Sequence, residues 1–357
     1  MTKTLMFLIT YRCNLRCSYC YEPKVVGHGI NESQLKENIS KQILTLPQEF
    51  DSFEIHFMGG EPLLEFDLIR NVSEWLWQQS FDKRLTMIFA PTNGTILTEE
   101  IRHWCKANRE RFCLGLSFDG DISMQNVNRS NSYEKVDVKF FASTWPRQSV
   151  KMTLSPETIN KFSDGVKFLH GQGFCEIVAD LAMGNSIKWE RRHLAQLTHQ
   201  LDALSTYIIT DAHNLRLSTL DLDIFALNDL SRSPQKSCSC GESLSCIDLD
   251  GKEYACHLFS PIASPYEKAA ASSSIDFKNH EVLGNPQCRA CILDALCPHC
   301  YGMNYICNES PSIPVPFNCA SFKTVYLANC RHRYKLALNS GDEDALAQIG
   351  KLINLIA

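Results

Sequence analysis

Three cysteines, Cys13, Cys17 and Cys20, fall within "YRCNLRCSYCYEP" near the start of the chain. A disulfide uses two thiols, and a structural zinc ion is usually closed by four ligands. Three thiolates in one loop therefore suit a metal centre that keeps one position open. A second field is larger, running from Cys238 to Cys330 and holding most of the 17 cysteines of the 357-residue chain. At this density, in a chain without an export signal, cysteines read as ligands for metals or clusters rather than as disulfides. Cys105, Cys113 and Cys175 stand apart and read as buried small hydrophobes.

Composition narrows the classes. The opening "TLMFLIT" is too short for a signal peptide and lacks a small-residue cleavage site, so the expected location is cytoplasmic. No apolar run is as long as a membrane span, which argues against a membrane partner. The net charge of -5, from 35 basic and 40 acidic residues with no basic block, argues against nucleic acid.

The reactive residues need elements to position them. Candidate strands are 4–10, 53–58, 85–91, 112–118, 149–154 and 175–182, and amphipathic stretches lie near 33–46, 66–80, 98–109, 134–143, 157–171 and 190–204. Strands alternating with helices imply βαβ units and a parallel sheet. Six units are too few for a closed eight-stranded barrel, so the expected fold is α/β, a partial (β/α)6 TIM barrel. The unusual residues follow the strands: "RCNLRCSYC" the first, "GGEP" the second, "TNG" the third, "SFDG" the fourth, "LSPET" and "AMGN" the last two. Loops at the carboxyl ends of the strands line the mouth where active sites sit in such folds. After about residue 225 the chain becomes rich in Cys, Gly and Pro. There "SCIDLDGKEYACH" reads as a hairpin turning at Asp250-Gly251, "SPYEKAAASSS" as a linker, and "NCASFKTVYLANCRHRYKLAL" as a helix, with a second helix near the end. The expected domains are residues 1–225, 226–335 and a C-terminal helix at 336–357.

A [4Fe–4S] cluster held by three thiolates leaves one iron open. At C-x3-C-x2-C with Tyr19 before the last cysteine, followed by "FMGGEP", the chain resembles the radical S-adenosylmethionine enzymes. The resemblance implies that the open iron chelates the amine and carboxylate of S-adenosylmethionine, and that an electron from the cluster cleaves it to methionine and a 5′-deoxyadenosyl radical. It further implies that Gly59, Gly60 and Glu61 meet the methionyl amine and that Ser117 of "GLSFDG" lies near the methionyl carboxylate or ribose. Arg129 would pair with that carboxylate, Asn93 and Leu181 would line the cofactor pocket, and Tyr19 would pack beside cluster and adenine. Asp119 is a candidate catalytic group facing substrate.

The second cysteine field resembles the SPASM extension of peptide-modifying radical enzymes. Cys238 or Cys240 precedes Gly251, which precedes Cys256; then come Cys288, Cys291 and Cys297. Cys300 follows Cys297 after two residues where the pattern has three, and Cys319 takes the final position. The resemblance implies two auxiliary [4Fe–4S] clusters, for three in all. Cys238 or Cys240, Cys246, Cys256 and Cys300 would hold the first auxiliary cluster; if Cys246 is not a ligand, that cluster has an open iron. Cys288, Cys291, Cys297 and Cys319 would hold the second, with Cys307 and Cys330 spare. The two C-x2-C pairs of "CRACILDALCPHC" also suit a single zinc ion.

The leading expectation is a peptide maturase. It would abstract hydrogen from a side-chain carbon of a ribosomally made precursor peptide and form an oxidative crosslink, C–C or thioether, with a flavodoxin or ferredoxin as electron donor. The alternatives are formylglycine formation on sulfatases, a non-catalytic iron–sulfur electron carrier, and a zinc-stapled interaction module. Sulfatase maturases of this family carry Asp directly after the cysteine that matches Cys256. This chain has His257 there, a candidate base. With the first strand starting near Met1, no leader-binding domain is expected ahead of the barrel.

Overall fold

The computed structural model describes residues 1–22, 27–228, 236 and 238–354. The opening of the cysteine-rich segment, residues 229–235 and 237, lies outside the described residues, as does the end of the expected C-terminal helix, 355–357. Two compact units are present. The first comprises Met1–Ser117, Arg129–Gln148 and Ser239–Asn279; the second comprises Phe118–Asn128, Ser149–Cys238 and His280–Ala357.

The first unit is built on four parallel strands, β1 (Thr2–Thr10), β2 (Ser52–Gly59), β3 (Leu85–Thr92) and β4 (Phe112–Leu116), in the order β4-β3-β2-β1. Their β-branched, leucine and aromatic runs suit a sheet covered on both faces; Phe7, Phe53, Phe57 and Phe112 are fully buried. Between the strands lie α1 (Glu32–Leu44), α2 (Phe66–Leu76) and α3 (Glu99–Ala107). Side-chain caps mark the starts of α1 and α3. Asn31 accepts from the Gln34 N–H at 2.9 Å at the start of α1, and Thr98 accepts from the Ile101 N–H at 3.2 Å at the start of α3.

The expected hairpin forms from Leu244–Ile247 and Glu253–Tyr254, turning through Gly251 at φ +82°. It also joins the sheet: Thr4, Leu5, Met6 and Phe7 of β1 pair in parallel with Leu244, Ser245, Cys246 and Ile247. The expected linker is in part a helix, Tyr266–Ser272, beginning after Pro265. Its alanines favour the helix, and the Ser272 and Ser273 hydroxyls donate back to the Ala269 and Ala270 carbonyls.

In the second unit, α4 (Ile122–Asn128) was not expected from periodicity; α5 (Val138–Thr144) belongs to the first unit. Strands β5 (Val150–Leu154), β6 (Glu176–Leu181) and β7 (Arg216–Leu217) form a parallel sheet, with α6 (Phe162–Gly171) and α7 (Arg191–Thr210) in sequence between them. The expected C-terminal helices run Pro316–Ser340 and Glu343–Asn354, with proline in the first turn and Gly341 at φ +70° ending the longer one. Ile349, Leu352, Tyr326 and Cys330 are buried together in that unit's core. The architecture is thus α/β with parallel sheets. None of the 17 cysteines is in a disulfide. Cys105 and Cys113 are buried as expected, whereas Cys175 is exposed, its Sγ accepting from Asn214 Nδ2 at 3.2 Å. Among the described residues, no helix is long and apolar enough to cross a membrane.

Candidate active site

The first unit gathers four strand-end loops and the turn after α4. Cys13, Cys17 and Cys20 follow β1, and the Cys20 N–H donates to the Cys17 carbonyl at 3.2 Å. Their thiols act electrostatically on one another, and burial pushes Cys13 up to about 11 and Cys20 up to about 12. Such thiols stay protonated at neutral pH unless a cation takes the proton's place, which is what a metal centre does.

The Gly59-Gly60-Glu61 turn packs directly under this loop. The Gly60 N–H donates to the Thr10 carbonyl at 3.2 Å and the Glu61 N–H to the Arg12 carbonyl at 2.8 Å. A Cβ on Gly60 would lie 2.5 Å from the Arg12 oxygen and 2.9 Å from Cys13 Cβ; one on Gly59 would lie 2.2 Å from the Thr10 oxygen. Only glycine lets the two loops meet. Gly60→Ala is therefore expected to shift Cys13, destabilise the chain by about 1–3 kcal/mol and deplete its iron. Thermal unfolding and iron analysis check this.

Glu61 is 1% exposed. Its carboxylate accepts from the Leu63 N–H at 3.0 Å, Thr92 Oγ1 at 2.8 Å and the Asn93 N–H at 2.7 Å. Burial pushes its pKa up, while those donors and the Arg129 charge oppose the shift. The side chain thus staples the second loop to the third, beyond the backbone role expected of it. Asn93 in turn gives an amide hydrogen to Asn14, inside the cysteine loop, at 2.9 Å.

Arg129, 7% exposed, lies with its guanidinium carbon 5.5 Å from the centre of the Tyr19 ring. It is followed by Ser130 and Asn131, both left-handed at φ +54° and +53°. Two consecutive non-glycine residues in that region mark a turn held by its surroundings; Ser130 Oγ accepts from the Arg16 N–H at 2.8 Å. Ser117, half-buried, closes the fourth strand end, its N–H donating to the Thr92 carbonyl at 2.9 Å. Sequence reasoning assigned nothing to Asn14, Thr95 or Ser130. The polar runs "TNGT" and "RSNS" are the signals that mark them.

Other residues fall elsewhere. Asp119, fully buried in the second unit, accepts from the Thr153 N–H at 2.9 Å and Asn128 Nδ2 at 3.1 Å. Both carboxylate oxygens of this candidate catalytic group thus hold neighbouring segments of the second unit. Leu181, at the end of β6, is half-buried in the same unit. His257 packs 5.7 Å from the Tyr21 ring. Burial pushes its pKa down to about 4, and its Nδ1 has no hydrogen-bond partner among the described residues.

Cys240, Cys246 and Cys256 are buried in the first unit, where Cys246 and Cys256 act on one another. Cys238 and Cys300 belong to the second unit and likewise interact, with burial pushing Cys300 up to about 11. Cys297 interacts with Cys288, Cys291 and Cys319, and burial pushes it up to about 12. These four are the set that the resemblance to the SPASM extension implies. Cys288, Asp294 and His299 also offer ligand atoms within 4.8 Å of one another. Cys330 is buried and Cys307 half-buried.

The donor sets fit iron–sulfur clusters. One loop supplies three thiols above a side-chain-free glycine cradle, and a second region supplies four, of which Cys288 and Cys297 each interact with the other three.

Residues 7–137 match the Radical SAM superfamily. The chain is similar to the cysteine-type anaerobic sulfatase-maturating enzyme of Clostridium perfringens (strain 13 / Type A), 29% identical over 127 residues, 33% of each chain. It is also similar to GTP 3′,8-cyclase of Peptoclostridium acidaminophilum, 29% identical over 136 residues, 37% of this chain and 39% of that one. The matched stretch thus spans well under half the length of these curated relatives. Over nearly the whole chain, the fold resembles that of anSMEcpe with bound AdoMet: TM-score 0.72 at 17% identity, covering 98% of both chains. Streptococcus suis SuiB bound to precursor peptide SuiA matches with TM-score 0.62 at 15% identity, over 89% of this chain and 76% of that one. The chain carries a radical S-adenosylmethionine domain, on a fold shared with these two proteins.

Proposed function

We propose that this protein is a radical S-adenosylmethionine peptide maturase that makes an oxidative crosslink in a ribosomally made precursor. The observation carrying this reading is the three-thiol loop seated on the Gly59-Gly60-Glu61 turn, with Arg129 and Tyr19 beside it. Cys13, Cys17 and Cys20 would hold a [4Fe–4S] cluster, which when bound supplies the electron that splits S-adenosylmethionine into methionine and a 5′-deoxyadenosyl radical. The glycines leave backbone groups open to the methionyl amine. Arg129 supplies a guanidinium for the carboxylate, and Ser117 a hydroxyl at the neighbouring strand end. Tyr19 offers an aromatic face.

Forming a C–C or thioether bond removes two hydrogens from the peptide. One leaves as 5′-deoxyadenosine; the other leaves as a proton and an electron. Cys288, Cys291, Cys297 and Cys319 would hold an auxiliary cluster, the electron's acceptor. In the first unit, Cys246 and Cys256 would contribute to a further auxiliary cluster. A flavodoxin or ferredoxin would supply the initiating electron, in the cytoplasm.

A second reading, formylglycine formation on a sulfatase, draws support from the 29% identity to the Clostridium perfringens enzyme and is weakened by His257 standing where sulfatase maturases carry Asp. Its low pKa keeps the imidazole neutral, the form that accepts a proton, but makes it a weak base. Anaerobic incubation with candidate peptides, read by high-resolution mass spectrometry, separates the two. Crosslinking removes two hydrogens per bond and leaves no aldehyde; formylglycine formation replaces a cysteine's sulfur by oxygen with loss of two hydrogens, or removes two hydrogens from a serine, and leaves an aldehyde that a hydrazide probe captures. Unchanged peptide masses across precursor and sulfatase sequences, with no 5′-deoxyadenosine, would leave an iron–sulfur electron carrier instead.

A further inference from the structure

We propose that Asn14, Asn93 and Thr95 form a positioning ring that holds the three-cysteine loop in its cluster-binding shape, with Ser130 as a second anchor. This rests on the reading of that loop as a cluster site and goes beyond it by assigning residues that touch neither iron nor substrate.

Asn14 sits between Cys13 and Cys17. Its Oδ1 accepts from Asn93 Nδ2 at 2.9 Å, and its Nδ2 donates to Thr95 Oγ1 at 2.8 Å. Thr95 Oγ1 closes the ring by donating to Asn93 Oδ1 at 2.7 Å, where the Thr95 N–H adds a bond at 3.0 Å. Each side chain is both donor and acceptor, so flipping either amide would set like poles together. The ring is fixed to the glycine turn as well, because the Asn93 N–H donates to Glu61 Oε2 at 2.7 Å. Asn93 was expected to contact the cofactor; with its Oδ1 taking two donors, its work is to hold Asn14.

The physical need is clear. A loop carrying three thiols must be ordered before it can grip a cluster, and without cross-bonds it pays that conformational entropy at each loading. The ring ties the loop between its first two ligands. Ser130 Oγ, accepting from the Arg16 N–H at 2.8 Å, ties it again beside the second.

Thr95→Val removes both hydroxyl bonds at nearly constant shape, whereas Thr95→Ser keeps them. The test uses full-length chains, reconstituted anaerobically and reduced, and follows the S-adenosylmethionine-sensitive electron paramagnetic resonance signal during exposure to an iron chelator. Loss of one to two hydrogen bonds predicts about tenfold faster decay in Thr95→Val. Thr95→Ser should decay like wild type, and the signals from the other cysteine sets should be unchanged in both. Decay of Thr95→Val at the wild-type rate, or of Thr95→Ser at the rate of Thr95→Val, overturns the proposal. If Thr95→Val loses every signal through misfolding, Asn14→Asp decides: it keeps the acceptor for Asn93 but loses the donor to Thr95. Faster decay supports the ring and an unchanged rate overturns it. A wild-type chain with no S-adenosylmethionine-sensitive signal would remove the cluster reading itself, and the ring's role with it.

Discussion

Replacing Cys13, Cys17 and Cys20 together by alanine is expected to abolish 5′-deoxyadenosine formation while leaving the chain folded and its other iron in place. The bonds that tie this loop to its neighbours do not use the thiols, although Cys13 and Cys20 also take the local backbone N–H groups of Leu15 and Glu22. Asn14 is bound through its amide, Arg16 through its N–H to Ser130, and Arg12 through its carbonyl to Glu61. The substitution thus removes ligands and leaves the scaffold. Iron should fall by about four atoms per chain, one cubane cluster, with the thermal midpoint of the metal-free chain essentially unchanged. Product should drop below detection, because no other described residue joins the loop in offering three thiols on one turn. Iron analysis, calorimetry and chromatography of the nucleoside products check the three parts.

Cys319→Ala is expected to separate the two halves of the reaction. Cys319 lies in the first turn of helix Pro316–Ser340, where alanine is the best helix former, so the fold should not suffer. Its thiol acts on Cys288 and Cys297, within the four-thiol set. With that auxiliary site lost, S-adenosylmethionine should still be cleaved when reductant is supplied. Crosslinked peptide should fall by about a hundredfold or more, a barrier rise of roughly 2.7 kcal/mol, because the electron released in closing the bond has no acceptor. Comparing 5′-deoxyadenosine with crosslinked peptide in one reaction gives the ratio directly. Equal loss of both would assign the set to substrate binding or folding instead.

Much of this was legible in the sequence because it was local. Six strands announced themselves as short apolar runs, and amphipathic stretches marked the helices between them. The three-cysteine spacing with a glycine pair after the next strand named the site's chemistry. What was hidden depends on partners distant in sequence. Nothing in "LSCI" says that Leu244–Ile247 will lie along β1, since a four-residue strand has no period of its own. The sequence of "SFDG" does not say that Thr153 and Asn128 will donate to the oxygens of Asp119. Glu61 and Asn93 belong to motifs expected to meet a cofactor, yet their side chains spend their bonds on neighbouring loops. In each case the residue type was informative about polarity, and only the fold decided what satisfied it.

The most direct test is chemical. Wild-type chain, reconstituted with iron and sulfide without oxygen, reduced and supplied with S-adenosylmethionine and a panel of precursor and sulfatase peptides, should yield 5′-deoxyadenosine and methionine in equal amounts. If fully loaded protein returns its S-adenosylmethionine intact under those conditions, the account of this site is wrong.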